Sequence, residues 1–303
     1  MDRFSAMKAF VLVVEAGSFS AAARRLHLGQ PAVSKSAAQL EHRLGVKLIA
    51  RSTHKLIPTE AGLSFYERAR RSIEEADEAD LAARGMGGGL TGRLRICAAV
   101  TFARIHLIPH LPEFLARHPD LEMDIVLDDR NIDLVQEGID VALRMGQQFA
   151  DSALTVRRIA SGRHEVVGTP AYFAQASEAL EPDDLLGHQV VVYAQQAGAA
   201  LWTFKRDGVE RAVRVNGRLR ATAAEGVRAA VLAGAGLAIA SEWMFAPEIA
   251  DGTVKAVLRD WKLPAIDLWA ILPAGRTAST RSRTFISFVA EVMHRLCTSG
   301  SVT

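Results

Sequence analysis

The sequence predicts an α/β protein carrying an all-α head, and three observations predict it. From residue 93 onward, strand-like apolar runs alternate with helical stretches, the signature of sheet and helix layers. Residues 1–58 read instead as three short helices followed by two short strands. An unbroken helical pattern of about 25 residues joins the two parts. A chain of 303 residues suits two or three compact units, and the boundaries expected are a head at 1–58, a linker helix and hinge at 59–89, and an α/β region at 90–303.

Bulk composition narrows the class. Apolar residues make up 49% and charged residues 23% of the chain, which excludes disordered, collagen-like and disulfide-scaffold proteins. The longest apolar run, Ala229 to Ala240, is 12 residues and glycine-broken, too short to cross a bilayer. Lys8 and Glu15 interrupt the first apolar segment, so no secretory leader is expected. Cys97 and Cys297 lie far apart and suggest neither a disulfide framework nor a metal knuckle, which fits a reducing cytoplasm. Charge is uneven: residues 1–58 hold nine Lys and Arg against three carboxylates, a balance of +6 in a chain of net +2. A basic unit on a near-neutral protein points to a polyanion, with nucleic acid as the leading partner.

Within the head, Met7, Phe10, Val13 and Val14 fall at helical spacing and Gly17 closes that helix. Ser20 precedes the helix-forming run Ala21 to Leu26, where its hydroxyl suits a cap. After His27-Leu28-Gly29, Gln30-Pro31 opens a third helix, proline being tolerated in a first turn. Val33, Ala37, Leu40 and Leu44 form its expected buried stripe. The opposite face carries Gln30, Ser34, Lys35, Ala38, Gln39 and His42, slim enough for a major groove and able to pair with base edges and phosphates. Val46–Ala50 and Lys55–Pro58 read as strands of a wing whose tip spans Arg51, Ser52, Thr53, His54 and Lys55. A plain three-helix bundle with a basic surface is the competing reading.

From Thr59 to Ala83, Leu63, Tyr66, Ala69, Ile73 and Ala76 alternate at three and four, a narrow apolar seam on a long helix that Thr59 caps. It reads as a charged spacer or, preferably, as a helix that pairs with its copy in a dimer and places two heads on half-sites. Gly87-Gly88-Gly89-Leu90-Thr91-Gly92 satisfies G-x-G-x-x-G but follows a helix and precedes a strand, the reverse of a dinucleotide site, and so reads as a hinge. His106 and His110 are separated by Pro109 with no following glutamate, which argues against a zinc site. No nucleophile elbow, Walker loop or other catalytic set is present in the sequence; no enzyme, cofactor or metal is expected.

In the α/β region the expected order is strand 93–99, helix 102–117, strand 121–127, helix 131–137, and strands 139–144 and 154–160. A second series follows, with strands near 164–168, 189–193, 237–240 and 254–258 and a helix at 223–234. A strand at 267–272 and a helix at 280–296 end it. Ligands of such sheets sit beyond strand carboxyl ends, often at helix N-termini. Thr101-Phe102 and Thr222-Ala223 occupy two such points, each threonine reading equally as cap or ligand contact. Arg144 and Gly146 border the same region, although an arginine after a strand is more often structurally paired.

The run Glu15-Ala16-Gly17-Ser18-Phe19-Ser20-Ala21-Ala22-Ala23, then Gln30-Pro31-Ala32-Val33-Ser34, Leu40-Glu41, Leu44-Gly45-Val46, Arg51-Ser52-Thr53 and Thr59-Glu60-Ala61-Gly62 resembles the winged helix-turn-helix of LysR-type transcriptional regulators. Gly29 departs from the family's usual Ser, Thr or Asn cap, and Ser36-Ala37-Ala38 is smaller than in many relatives. Farther on, Pro112 to Pro119, Asp133 to Arg144 and Ala233 to Ile239 resemble the family's effector domain, which is bilobal and similar in fold to periplasmic binding proteins. The resemblance implies promoter DNA contacts from Gln30, Pro31, Ser34, Lys35 and the wing residues 51–55, and Ser20, Arg24 and Gln39 are expected to contact DNA beside them. It further implies a small-molecule effector, with an organic acid as the class suggested by helix N-termini, held between lobe I (90–162 and 266–303) and lobe II (163–265) near Thr101, Phe102, Arg144, Gly146, Thr222 and Ala223. Self-association as dimer or tetramer is expected, with no membrane partner. A solute-binding protein without specific DNA readout is the alternative, and the basic head argues against it.

Overall fold

The computed structural model describes residues 2–51, 56–83, 90–146, 155–193, 200–273 and 278–299. They divide into two compact units, 1–89 and 90–303. Among the described residues, no helix is long and apolar enough to cross a membrane.

The first unit runs α1 (Arg3–Ala16), α2 (Phe19–Arg25), α3 (Gln30–Leu44), β1 (Ile49–Arg51), β2 (Leu56–Pro58) and α4 (Glu60–Ala83). Asp2 caps α1 by accepting the Ser5 N–H, and Gly17 ends it at φ +61°, a left-handed conformation that favours glycine. The cap of α2 is Ser18 rather than the expected Ser20: Ser18 holds the extended conformation of a cap, and its Oγ accepts the Ala21 N–H at 3.4 Å. Starting the helix at Phe19 lets that ring pack on the head core. Val33, Ala37 and Leu40 are buried as expected, whereas Leu44 is 38% exposed and Ser36 takes a buried place. Ser36 tolerates burial because its hydroxyl donates to the Ala32 carbonyl, and Leu44 ends the helix just before the left-handed Gly45.

The wing strands pair antiparallel from Ile49↔Pro58 to Arg51↔Leu56. Its first strand is shorter than the expected 46–50, because Glu41 of α3 accepts the N–H groups of Leu48 and Ile49 at 2.9 and 3.0 Å. Ser52, Thr53, His54 and Lys55 lie outside the described residues. Thr59 caps α4 through the Gly62 N–H. The anticipated seam of α4 is partly spent within the chain: Ala69 is buried, Tyr66 and Ile73 pack on the head core, and Phe65 meets Phe10 of α1 edge to face at 5.5 Å. Leu63 stays 53% exposed.

The second unit opens with β3 (Gly92–Ala98) and α5 (Val100–Phe102), which continues as a π-helical turn (Ala103–Leu107) and a 3-10 turn (Ile108–His110) into α6 (Leu111–Arg117). The expected single helix 102–117 is thus subdivided and begins earlier, since Pro109 and Pro112 each remove a donor from the ladder. β4 (Leu121–Leu127), β5 (Val141–Gly146) and β6 (Thr155–Gly162) follow. The expected helix 131–137 is a series of turns instead, because the Asp133 carboxylate captures the Val135 and Gln136 N–H groups.

Across Arg163 the chain enters a second layer: β7 (His164–Gly168), α7 (Pro170–Ala176), a 3-10 turn (Pro182–Gly187), β8 (Val191–Tyr193), β9 (Ala200–Arg206), β10 (Val209–Val215), β11 (Leu219–Ala221), α8 (Ala224–Leu232), β12 (Ala238–Ser241), α9 (Ala246–Ala250) and β13 (Lys255–Val257). It returns through β14 (Ile266–Leu272) and ends in α10 (Thr280–Ser299). The first sheet has the order β4-β3-β5-β14-β6, parallel through β4, β3 and β5 and antiparallel at β14, so it is mixed rather than wholly parallel. In the second layer β7 lies between antiparallel β12 and β13, β8 pairs parallel with β11, and a parallel bridge from Val190 to Leu237 joins the two sets. Leu94, Ile96, Phe114, Leu143, Leu268 and Phe285 centre the first lobe's core. Val166, Phe204 and Val213 belong to one core of the second lobe, and Val167, Val227 and Phe245 to another.

Candidate nucleic-acid interface and interlobe cleft

The exposed side of α3 is polar and slim. Gln30, Pro31, Lys35, Ala38 and Gln39 are exposed and Ser34 is half-buried, while Val33, Ala37 and Leu40 anchor the reverse side in the head core. Ser20 of α2 donates its hydroxyl to Gln30 Oε1 at 3.0 Å, which orients the Gln30 amide so that its NH2 remains available as a donor. Arg24 and Arg25, in the last turn of α2, are both exposed. The wing is held to α3 by Glu41, whose Oε2 also meets Lys47 Nζ at 2.8 Å. Burial opposes the Glu41 charge, but Lys47 and the two backbone donors outweigh it and hold the carboxyl below its usual range. Of the expected interface, Ser20, Arg24, Gln30, Pro31, Ser34, Lys35 and Gln39 come together on the α2–α3 pair. The Arg51 backbone lies in β1, and 52–55 lie outside the described residues.

A cavity of about 450 Å³ opens between the two lobes of the second unit. Thr101, Phe102, Arg144 and Gly146 line it, and Thr222 and Ala223 are absent from its lining. Thr222 does not cap α8. Ala223 holds the cap conformation, and the capping carboxylate comes from the other lobe: Asp129 Oδ2 accepts the Ala224 N–H at 3.1 Å while its Oδ1 accepts the Val100 N–H of α5 at 2.9 Å. One side chain therefore occupies the N-termini of two helices in different lobes, where an anion is stabilised by free N–H groups. Thr101 donates to Glu225 Oε2 at 2.7 Å, and Arg104 meets Glu225 Oε1 at 2.8 Å.

Arg144 is 6% exposed and donates to the carbonyls of Asp128 and Arg130 at 2.6 and 2.8 Å and to Cys97 Sγ at 3.2 Å. It is a structural clamp on the turn that carries Asp129. Asp128, hydrogen-bonded first by Arg130 and lying near Arg144, is held down to about 2. His106 is 5% exposed and links the lobes through Nε2 to the Trp243 carbonyl at 2.7 Å. Burial pushes its pKa down; among the described residues no cluster of metal-binding side chains occurs.

With this geometry in view, the comparisons with known proteins fall into one group. Residues 4–63 match the bacterial regulatory helix-turn-helix model of the lysR family, and residues 87–294 match the LysR substrate binding domain. The chain belongs to the LysR family of transcriptional regulators. An HTH-type transcriptional regulator of Xanthomonas campestris pv. campestris is 33% identical over 92% of this chain and 82% of its own. PtxR of Pseudomonas aeruginosa is 33% identical over 95% and 92%. Among solved structures, CrgA of Neisseria meningitidis, a LysR-type regulator, superposes with a TM-score of 0.61 at 27% identity, covering 96% of this chain and 99% of CrgA. The Vibrio cholerae virulence activator AphB gives 0.56 at 26% over 95% and 98%.

LysR regulators bind DNA and small-molecule effectors and form oligomers. Sequence reasoning missed Asp129, Glu225, His164, Trp202, Ser241 and Trp243. An acidic pair just past the end of a strand, at the expected ligand position, was a legible signal for Asp129. The cavity walls from 202 and 241–243 depend on how the second lobe closes over the first, which no local pattern reports.

Proposed function

We propose that this LysR regulator reads promoter DNA through the exposed face of α3, with Gln30, Ser34, Lys35 and Gln39 toward base edges and Arg24 and the wing, residues 51–55, toward the backbone. The observation that carries this reading is the division of α3 into an apolar side locked in the head core and a slim polar side carrying Gln30, pre-oriented by Ser20. Heads paired through α4, whose Leu63 remains exposed, would meet the two halves of a pseudo-palindrome. The protein acts in the cytoplasm without a catalytic step, and an effector held in the interlobe cavity tunes its DNA binding. A shift assay and footprinting on the intergenic region beside its gene test this. Gln30→Ala with Ser34→Ala should abolish preference over random competitor, whereas Arg24→Ala should weaken all duplexes alike and reduce the salt slope by about one. Sequence preference that survives the double substitution would refute α3 as the reading helix.

A further inference from the structure

The cavity's polar and apolar groups define what it can hold. Phe102, Met145, Trp202, Trp243, Met244 and Ile266 supply broad apolar walls, with Trp202 edge to face on His164 at 4.9 Å and Trp243 likewise on Phe102 at 6.4 Å. Two charged side chains, Asp129 and Arg144, are found among the described lining residues. Both are engaged by the protein: Asp129 by the two helix N-termini, Arg144 by carbonyls of its own lobe and by Cys97. A carboxylate entering beside Asp129 would meet a like charge with the Val100 and Ala224 N–H groups already bonded. An ammonium would meet a carboxylate that two helix dipoles already balance.

One polar group stands apart. Ser241 is 4% exposed, lines the cavity, and its Oγ has no hydrogen-bond partner among the described residues. A buried hydroxyl left unbonded is costly, so a bond to it from a bound molecule would be stabilising. Ser241 pairs directly across β12 and β7 with His164, so the two side chains share a face of the sheet. His164 donates from Nδ1 to the Pro264 carbonyl at 2.8 Å and is kept neutral by burial, which leaves Nε2 an acceptor.

Resting on the reading of the cavity as the effector site, we infer that it takes an uncharged ligand with a flat apolar body and a single hydroxyl or carbonyl group bonded to Ser241, and that Asp129 fills the place an organic acid would need.

Calorimetric titration of the full-length protein at pH 7 with 2-naphthol, 2-naphthoate and 2-naphthylmethylammonium tests this. The expected result is that 2-naphthol binds at least about tenfold more tightly than either ion, that Ser241→Ala weakens 2-naphthol by roughly five- to tenfold, the loss of one hydrogen bond, and that Asp129→Asn narrows the gap between naphthol and naphthoate. Matching melting curves by circular dichroism establish that the variants fold. Equal or tighter binding of naphthoate or of the ammonium by the unaltered protein overturns the ligand class while leaving the cavity as an effector site. Unchanged naphthol affinity in Ser241→Ala overturns the assignment of its anchor. No heat from any of the three overturns this inference, while the effector reading and promoter binding in the shift assay are unaffected by that outcome.

Discussion

Glu41 ties α3 to the wing. Its carboxylate accepts from Leu48 and Ile49, both buried, and from Lys47. Glu41→Ala leaves two buried N–H groups without an acceptor and is expected to destabilise the head by about 2 kcal/mol, with Glu41→Gln, which keeps a carbonyl oxygen, costing less. Hydrogen exchange should show faster opening over residues 1–89 in the alanine variant, and unchanged protection would contradict that role. At this scale the sequence was readable wherever a side chain acts on its own neighbourhood. The closure at Gly17 and the Thr59 cap were both legible. The cap of α8 was not, because Asp129 reaches it from 95 residues away, and Ser20 lies inside the first turn of α2, whose cap is Ser18.

Among the elements, α4 shows how a close approach reverses a local preference. Alanine normally improves a helix over glycine by about 1 kcal/mol. At Gly62, however, a Cβ would stand 1.9 Å from the Leu48 carbonyl oxygen. Gly62→Ala is therefore expected to destabilise the head by about 1–3 kcal/mol through overpacking, seen as a lower-temperature first transition in calorimetry; a higher one would show that α4 shifts freely. Long periodic elements such as α3 and α10 are legible because one face of each is buried in a regular pattern. The β9–β10 hairpin was overlooked although Asp207-Gly208 carries its turn and Trp202, Phe204, Val213 and Val215 alternate around it, a signal that was present in the residues. Apolar spacing over 131–137 predicts a helix where turns form, because it does not register Asp133 bonding to its own neighbouring backbone.

For the molecule as a whole, acid should act on the bilobal unit through His106. Its pKa lies below the ordinary 6.5 because burial disfavours the charged ring, so the unfolded chain takes up the proton first as pH falls. The stability it contributes is full above about 6.5 and is lost as pH drops toward the folded-state value. All four tryptophans lie in residues 90–303, and their fluorescence should report a lower urea midpoint at pH 5 than at pH 7. The drop should be smaller in His106→Gln, whose amide can still donate to the Trp243 carbonyl; an equal drop would place the acid sensitivity elsewhere.

The two chain segments that cross between the lobes are themselves neighbours. β6 and β14 are hydrogen-bonded up to Gly162↔Ile266, and the crossings at Arg163 and Ala265 follow at once. A pair of adjoining extended segments resists shear and twist but yields to bending across its width, as a strip of leather does on a gate. Any change of angle between the lobes along this strip must break the bonds that tie their far edges, from the Ala224 N–H to Asp129 and from His106 to the Trp243 carbonyl.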